Sequence, residues 1–150
     1  MRHAWLWVFA IGCSSSGGGG EPQLSDATLD WGSTAIHMST GSAIVDSTGM
    51  RIQLGNDNVT CKTDLDQTEP PPGSYVYFSA PTATGAVANA DVTIIKFSGN
   101  NISIDITGGM ANIATLDTRV TGTLTFMTTD SMASPNTVTM TGGFDVKKCF

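Results

Sequence analysis

The chain predicts an all-β domain, either an antiparallel β-sandwich or a closed β-barrel of about eight to nine short strands. Three observations carry this expectation. Apolar residues recur at every second position in segment after segment, and no stretch shows a convincing helical period. Gly, Pro, Asn and Ser gather between those segments at hairpin spacing. Charged residues make up only 13% of the 150 residues, and Ser and Thr are abundant instead. Threonine favours the pleated, half-buried surface of a sheet.

The first segment stands apart from that domain. Arg2 precedes an apolar run from Ala4 to Ile11, then come Gly12, Cys13 and the Ser/Gly tract from Ser14 to Gly20. The run falls well short of the ~20 apolar residues a spanning helix needs. It has the length of the apolar core of an export signal. The arrangement resembles the signal peptide and lipobox of bacterial lipoproteins. Ile11 and Gly12 fit the two positions before the cysteine, and Ala10 stands where that family prefers Leu. The resemblance implies cleavage before Cys13 and acylation of its thiol and new amino group. On this reading residues 1–12 are the signal peptide, 13–30 a lipidated cysteine with a flexible tether, and 31–150 the β domain. The alternative is an ordinary signal peptide cut a few residues later, with Cys13 an incidental thiol. Ser14 replaces the Asp that retains such lipoproteins at the inner membrane, so the resemblance implies the outer membrane of a bacterial cell envelope. The tract 14–20 has an r.m.s. span of roughly 15 Å, enough with residues 21–30 to hold a domain clear of the headgroups.

From Trp31 onward the elements follow in order. Weaker strands are expected at Thr34–Met38 and Ala43–Asp46. Met50, Ile52 and Leu54 then alternate with Arg51 and Gln53. Weaker strands follow at Val59–Cys61, Tyr75–Ser79 and Val92–Phe97. Ile102, Ile104 and Ile106 alternate with Ser103, Asp105 and Thr107, and Val120, Gly122, Leu124 and Phe126 alternate with Thr121, Thr123 and Thr125. The last alternation runs unbroken from Val138 through Met140, Gly142 and Phe144 to Val146, and reads as one strand. Ser47-Thr-Gly49 and Ser98-Gly-Asn-Asn101 suit tight hairpins. Glu69-Pro-Pro-Pro-Gly73 reads as a stiff loop, and Ala133-Ser-Pro-Asn136 as the connection between the last two strands.

Charge and cysteine count narrow the function. Removing residues 1–12 takes away one of the seven basic residues and none of the thirteen acidic ones, leaving a net charge of about −7. Nucleic acid binding needs clustered Lys and Arg, and Lys147-Lys148 is the only adjacent pair, so no nucleic acid partner is expected. If Cys13 carries lipid, Cys61 and Cys149 remain. In an oxidising compartment two such cysteines usually pair; two buried free thiols are the alternative. The layout as a whole resembles small lipoproteins of bacterial cell envelopes, in which a β domain follows a Cys-Ser-Gly tether and the chain closes on a Gly-Phe-Asp-Val strand ending in Cys. That resemblance implies no activity.

Candidate chemistry is sparse. His37 is the only histidine after the signal, and its place between Ile36 and Met38 points it to the wet face of a strand, where a lone histidine is usually a surface residue. Asp64, Asp66 and Glu69 could offer oxygens to Ca²⁺, but the spacing lacks the central glycine and closing glutamate of an EF-hand. They are weak metal candidates, and neither a metal nor a cofactor is expected. The Thr-x-Thr runs at 121–125 and 137–141 read as exposed strand faces. Asn58-Val-Thr60 and Asn101-Ile-Ser103 match the glycosylation sequon by chance. The terminal Phe150 raises a membrane-inserted barrel as a minor reading. The expected function is a membrane-anchored envelope lipoprotein whose β domain binds or scaffolds without catalysis. Its partners would be the membrane, through the lipid anchor, and an envelope protein or polysaccharide. The alternative is an envelope hydrolase acting on glycans or esters, which would need a carboxylate pair or an activated serine.

Overall fold

The computed structural model describes residues 26–57, 59–62, 73–98, 100–130 and 136–150. Cys13, the tether, Asn58, Asp64, Asp66, Glu69 and most of the two Pro-containing loops lie outside these. Ten strands are found among the described residues: β1 Thr28–Trp31, β2 Thr34–His37, β3 Thr40–Val45, β4 Met50–Gly55, β5 Gly73–Ala80, β6 Gly85–Ser98, β7 Asn100–Leu116, β8 Arg119–Asp130, β9 Asn136–Thr141 and β10 Gly143–Cys149.

Seven of them close a barrel in the order β3-β4-β5-β6-β7-β8-β10 and back to β3. Every neighbouring pair is antiparallel except the last. β10 meets β3 in parallel through only three residue pairs, Lys147↔Ser42, Lys148↔Ala43 and Cys149↔Ile44. The parallel pair departs from the all-antiparallel expectation. A parallel pair requires a long connection, and here almost the whole domain separates the two strands. The remaining strands form a sheet in the order β8-β9-β1-β2. β8 belongs to both, pairing with β10 through Arg119–Thr123 and with β9 through Phe126–Asp130.

Alternation decides which side of each strand is dry. Met50, Ile52 and Leu54 of β4, Val76 and Phe78 of β5, Val92 and Ile94 of β6, Ala111 and Ile113 of β7, Val120 and Leu124 of β8 and Phe144 and Val146 of β10 are buried in one cluster. Leu29, Trp31, Phe126, Val138 and Met140 of the sheet extend that cluster. Phe78 and Phe144 meet edge to face with ring centroids 5.5 Å apart, a geometry that adds about 0.5–1.5 kcal/mol beyond the buried area. The Lys96 ammonium of β6 lies 5.4 Å from the Trp31 ring of β1, so the sheet faces the inner side of the barrel wall. With its apolar side inward and threonines outward, this barrel is the inverse of the lipid-facing arrangement a membrane-inserted barrel requires.

Three local devices bend the strands into this shape. The β3–β4 turn is tied by Asp46, whose carboxylate accepts bonds from the Thr48 hydroxyl, the Thr48 amide and the Gly49 amide. Those bonds, the Thr48 hydroxyl first, hold the Asp46 carboxyl below its ordinary value. In the β6–β7 hairpin the register shifts between Val87 and Val92, Asn89 takes a left-handed φ of 57° and Gly108 a φ of 102°. Such bulges increase local twist and turn barrel corners. The third device corrects the expectation of a single strand from Val138 to Val146. At Gly142 the backbone takes φ +131° and passes so close to Asp26 and Ala27 that a β-carbon would meet their backbone atoms. The Asp26 carboxylate accepts the Gly143 amide at 2.6 Å. The chain therefore leaves the sheet as β9 and enters the barrel as β10, while the inward phase of Met140, Phe144 and Val146 continues across the break.

Other boundaries also moved. β1 begins at Thr28, inside the stretch assigned to the tether. β6, β7 and β8 run to 14, 17 and 12 residues, and β8 pairs with three strands, β7, β10 and β9. Val59–Cys61 is not a strand: Val59 and Thr60 are irregular and Cys61 is helical.

Candidate functional site

The outward side of β3, β4 and β5 carries the most built-up arrangement outside the core. The segment after β4 crosses it. Asn56 anchors the crossing: its side-chain oxygen accepts the Ser74 amide at 2.8 Å, its backbone amide donates to Ser74 O, and its carbonyl accepts the Ser39 hydroxyl at 2.9 Å. The Val59 amide donates to the Thr40 hydroxyl at 3.1 Å, and that hydroxyl donates to Gly55 O. Cys61 then bonds to Cys149 at the end of β10, on the parallel seam. The expected disulfide is present.

Beneath this crossing the outward residues are dry although they do not belong to the main core. Tyr75 and Val59 are buried there. Gly55, paired with Tyr75 across the ladder, leaves them room: a β-carbon at Gly55 would press on the Tyr75 ring at 2.9 Å and on a Val59 methyl. Burial, and then the negative charge of Asp57, raises the Tyr75 phenol above its ordinary value. One ladder row further on, Ser42, Gln53 and Tyr77 stand side by side, and the buried Gln53 amide donates to the Tyr77 hydroxyl at 2.9 Å. Among the described residues no buried side-chain nitrogen or oxygen lacks a hydrogen-bond partner. The Gln53–Tyr77 bond ties β4 to β5 beside the crossing segment, as satisfied buried polar networks fix a register.

The sequence-predicted residues fall elsewhere. His37 ends β2 and stands exposed, opposite Thr28 on the outward side of the sheet. Among the described residues no serine hydroxyl is bonded to it, and no group of three His, Cys, Asp or Glu side chains converges as metal ligands. The Thr-x-Thr runs at 121–125 of β8 and 137–141 of β9 face outward as expected, with Met110 and Met127 exposed among them at 64% and 74%. Arg119 of β8 pairs with Asp145 of β10 at 2.7 Å across the barrel surface, an exposed contact worth little to stability. Tyr75, Gln53 and Ser42 were not singled out by sequence reasoning. The available signal was the run Tyr75-Val-Tyr-Phe78 in β5: Tyr75 and Tyr77 share one face and Val76 and Phe78 the other, so large side chains stand on both sides of the strand and one pair must face away from the core. No family model, no curated protein and no solved structure matches the chain.

Proposed function

We propose that the protein is a bacterial envelope lipoprotein, anchored through Cys13 and presenting a non-catalytic β domain that binds or scaffolds a partner near the membrane. The observation that carries this reading is the Cys61–Cys149 disulfide. It accounts for two of the three cysteines and fits an oxidising compartment, which an exported chain reaches. The third cysteine, Cys13, sits where the apolar run gives way to the Ser/Gly tract. Multiple acyl chains at that position would give stable attachment where a single chain is marginal. The domain's partner would be an envelope protein or a polysaccharide, with which the polar, threonine-rich outer faces are compatible, and Ser14 in place of Asp after the cysteine favours the outer membrane as the location.

Metabolic labelling with a palmitate analogue tests the anchor. The native chain should take label and fractionate with membranes, and Cys13→Ala should do neither. Equal labelling of both would remove the lipoprotein reading. Turnover of a glycan or ester by the purified chain, with no partner recovered by crosslinking from membranes, would replace the binding role with the hydrolase one.

A further inference from the structure

β7 has an open side. It pairs with β6 from Asn100 to Ile113, but with β8 only from Met110 to Leu116. Beyond the Met110↔Thr125 pair, β8 turns away to β9. Among the described residues, the stretch 100–109 therefore has a strand on one side only. About half the amide and carbonyl groups of such an edge point away from its neighbour and can template another strand. The free edge at β2 is different: it has four residues, most of them exposed, which is the short, blunted form that resists pairing. The β7 edge is longer, and Ile102 and Ile104 pack against the core from it while only partly buried.

The sequence of this edge says what fits it. Ile102-Ser-Ile-Asp-Ile106 is nearly palindromic about Ile104. We infer that the β7 edge pairs antiparallel with the same edge of a second copy of this chain, on a two-fold axis at Ile104. In that register Ile104 faces its own counterpart and Ile102 faces Ile106, so a row of isoleucines covers the half-exposed side chains. On the outward side Ser103 faces Asp105 in both directions. The Asp105 carboxylate already accepts the Thr93 hydroxyl at 2.8 Å through one oxygen, and its other oxygen is placed to accept the Ser103 hydroxyl of the second copy. Centring on Asp105 instead would set two carboxylates against each other, and like charges directly opposite are destabilising. A symmetric, closed pairing of this kind also removes the edge from further association.

The test uses the full chain in detergent, followed by sedimentation velocity across a concentration series. The native chain should show a reversible monomer–dimer equilibrium. Ser103→Asp places a charge opposite Asp105 twice and should raise the dimer dissociation constant about tenfold; Ser103→Lys should lower it by a similar factor. Ser79→Asp, an exposed addition of the same charge on β5, should leave it unchanged. Hydrogen exchange on the unsubstituted chain gives a second reading, because the edge amides of 101–105 should exchange more slowly as concentration rises. A native chain that stays monomeric, a Ser103→Asp chain that dimerises as well as Ser103→Lys, or edge exchange independent of concentration would each overturn the proposal.

Discussion

Tyr75 is buried although it stands on the outward side of β5, and its phenol bears the consequence. Desolvation disfavours the phenolate, and the Asp57 charge disfavours it further. The direction fixes the pH effect. The folded chain holds the neutral phenol past the ordinary value of 10.0, whereas the unfolded chain ionises there. The stability linked to this difference is therefore intact below pH 10.0 and is lost as pH rises through the folded value. Ultraviolet difference titration should show a tyrosine component ionising above 10.0, and Tyr75→Phe should remove it. A late component that survives Tyr75→Phe undiminished would show that it does not belong to Tyr75. At this scale little was readable beforehand. Nothing in the residues around Tyr75 reports that the segment from Asn56 to Cys61 returns to cover them, because covering is a tertiary relation and alternation describes only one strand at a time.

At the scale of elements, the alternation identified the right faces. Met50, Ile52 and Leu54 point inward, as do Ile102, Ile104 and Ile106, because a period of two leaves one side of a strand dry. The same signal hid the β9–β10 break. Gly142 occupies an inward position in an unbroken pattern, so the pattern reads straight through it. Only the close approach of Asp26 and Ala27 and the φ of +131° mark the turn. Gly142→Ala should therefore be costly from two sources, a backbone conformation that favours glycine and a collision with main chain that cannot step aside. Losses of roughly 1–3 kcal/mol are usual for each kind of strain. Gly85→Ala is the control, since Gly85 also has a positive φ but meets nothing within 4 Å. Chemical denaturation should rank Gly142→Ala well below Gly85→Ala. Equal losses would mean that backbone conformation alone matters at Gly142. Val59–Cys61 failed as a strand for a related reason. Its Val59 is buried against the outside of the barrel, where a short irregular crossing does the work that a paired strand would otherwise do.

At the scale of the whole molecule the barrel closes where it is weakest. β3 and β10 lie at opposite ends of the domain, and their parallel ladder has three pairs. The count of cysteines made the disulfide legible, but not its place, because closure between distant strands leaves no trace in local pattern. The bond sits on that seam. It ties the last residue of β10 to the segment that crosses β3 and β4, so it fastens the seam and the crossing together. The loop it closes has a sequence separation of 88 residues, for which the chain-entropy account gives about 4–5 kcal/mol of stabilisation. A loss of that size in a domain of this length corresponds to a fall in melting temperature of roughly 15–20 °C. The double variant Cys61→Ser/Cys149→Ser avoids stray thiols and should show this fall in calorimetry. Its amides in β3 and β10 should also lose exchange protection ahead of those in β6 and β7, since the long hairpin closes through local contacts and does not depend on the seam. A double variant that melts with the native chain would mean that the three-pair ladder and the inward packing of Phe144 and Val146 close the barrel unaided. Uniform loss of protection would mean that the barrel opens only as a single cooperative unit.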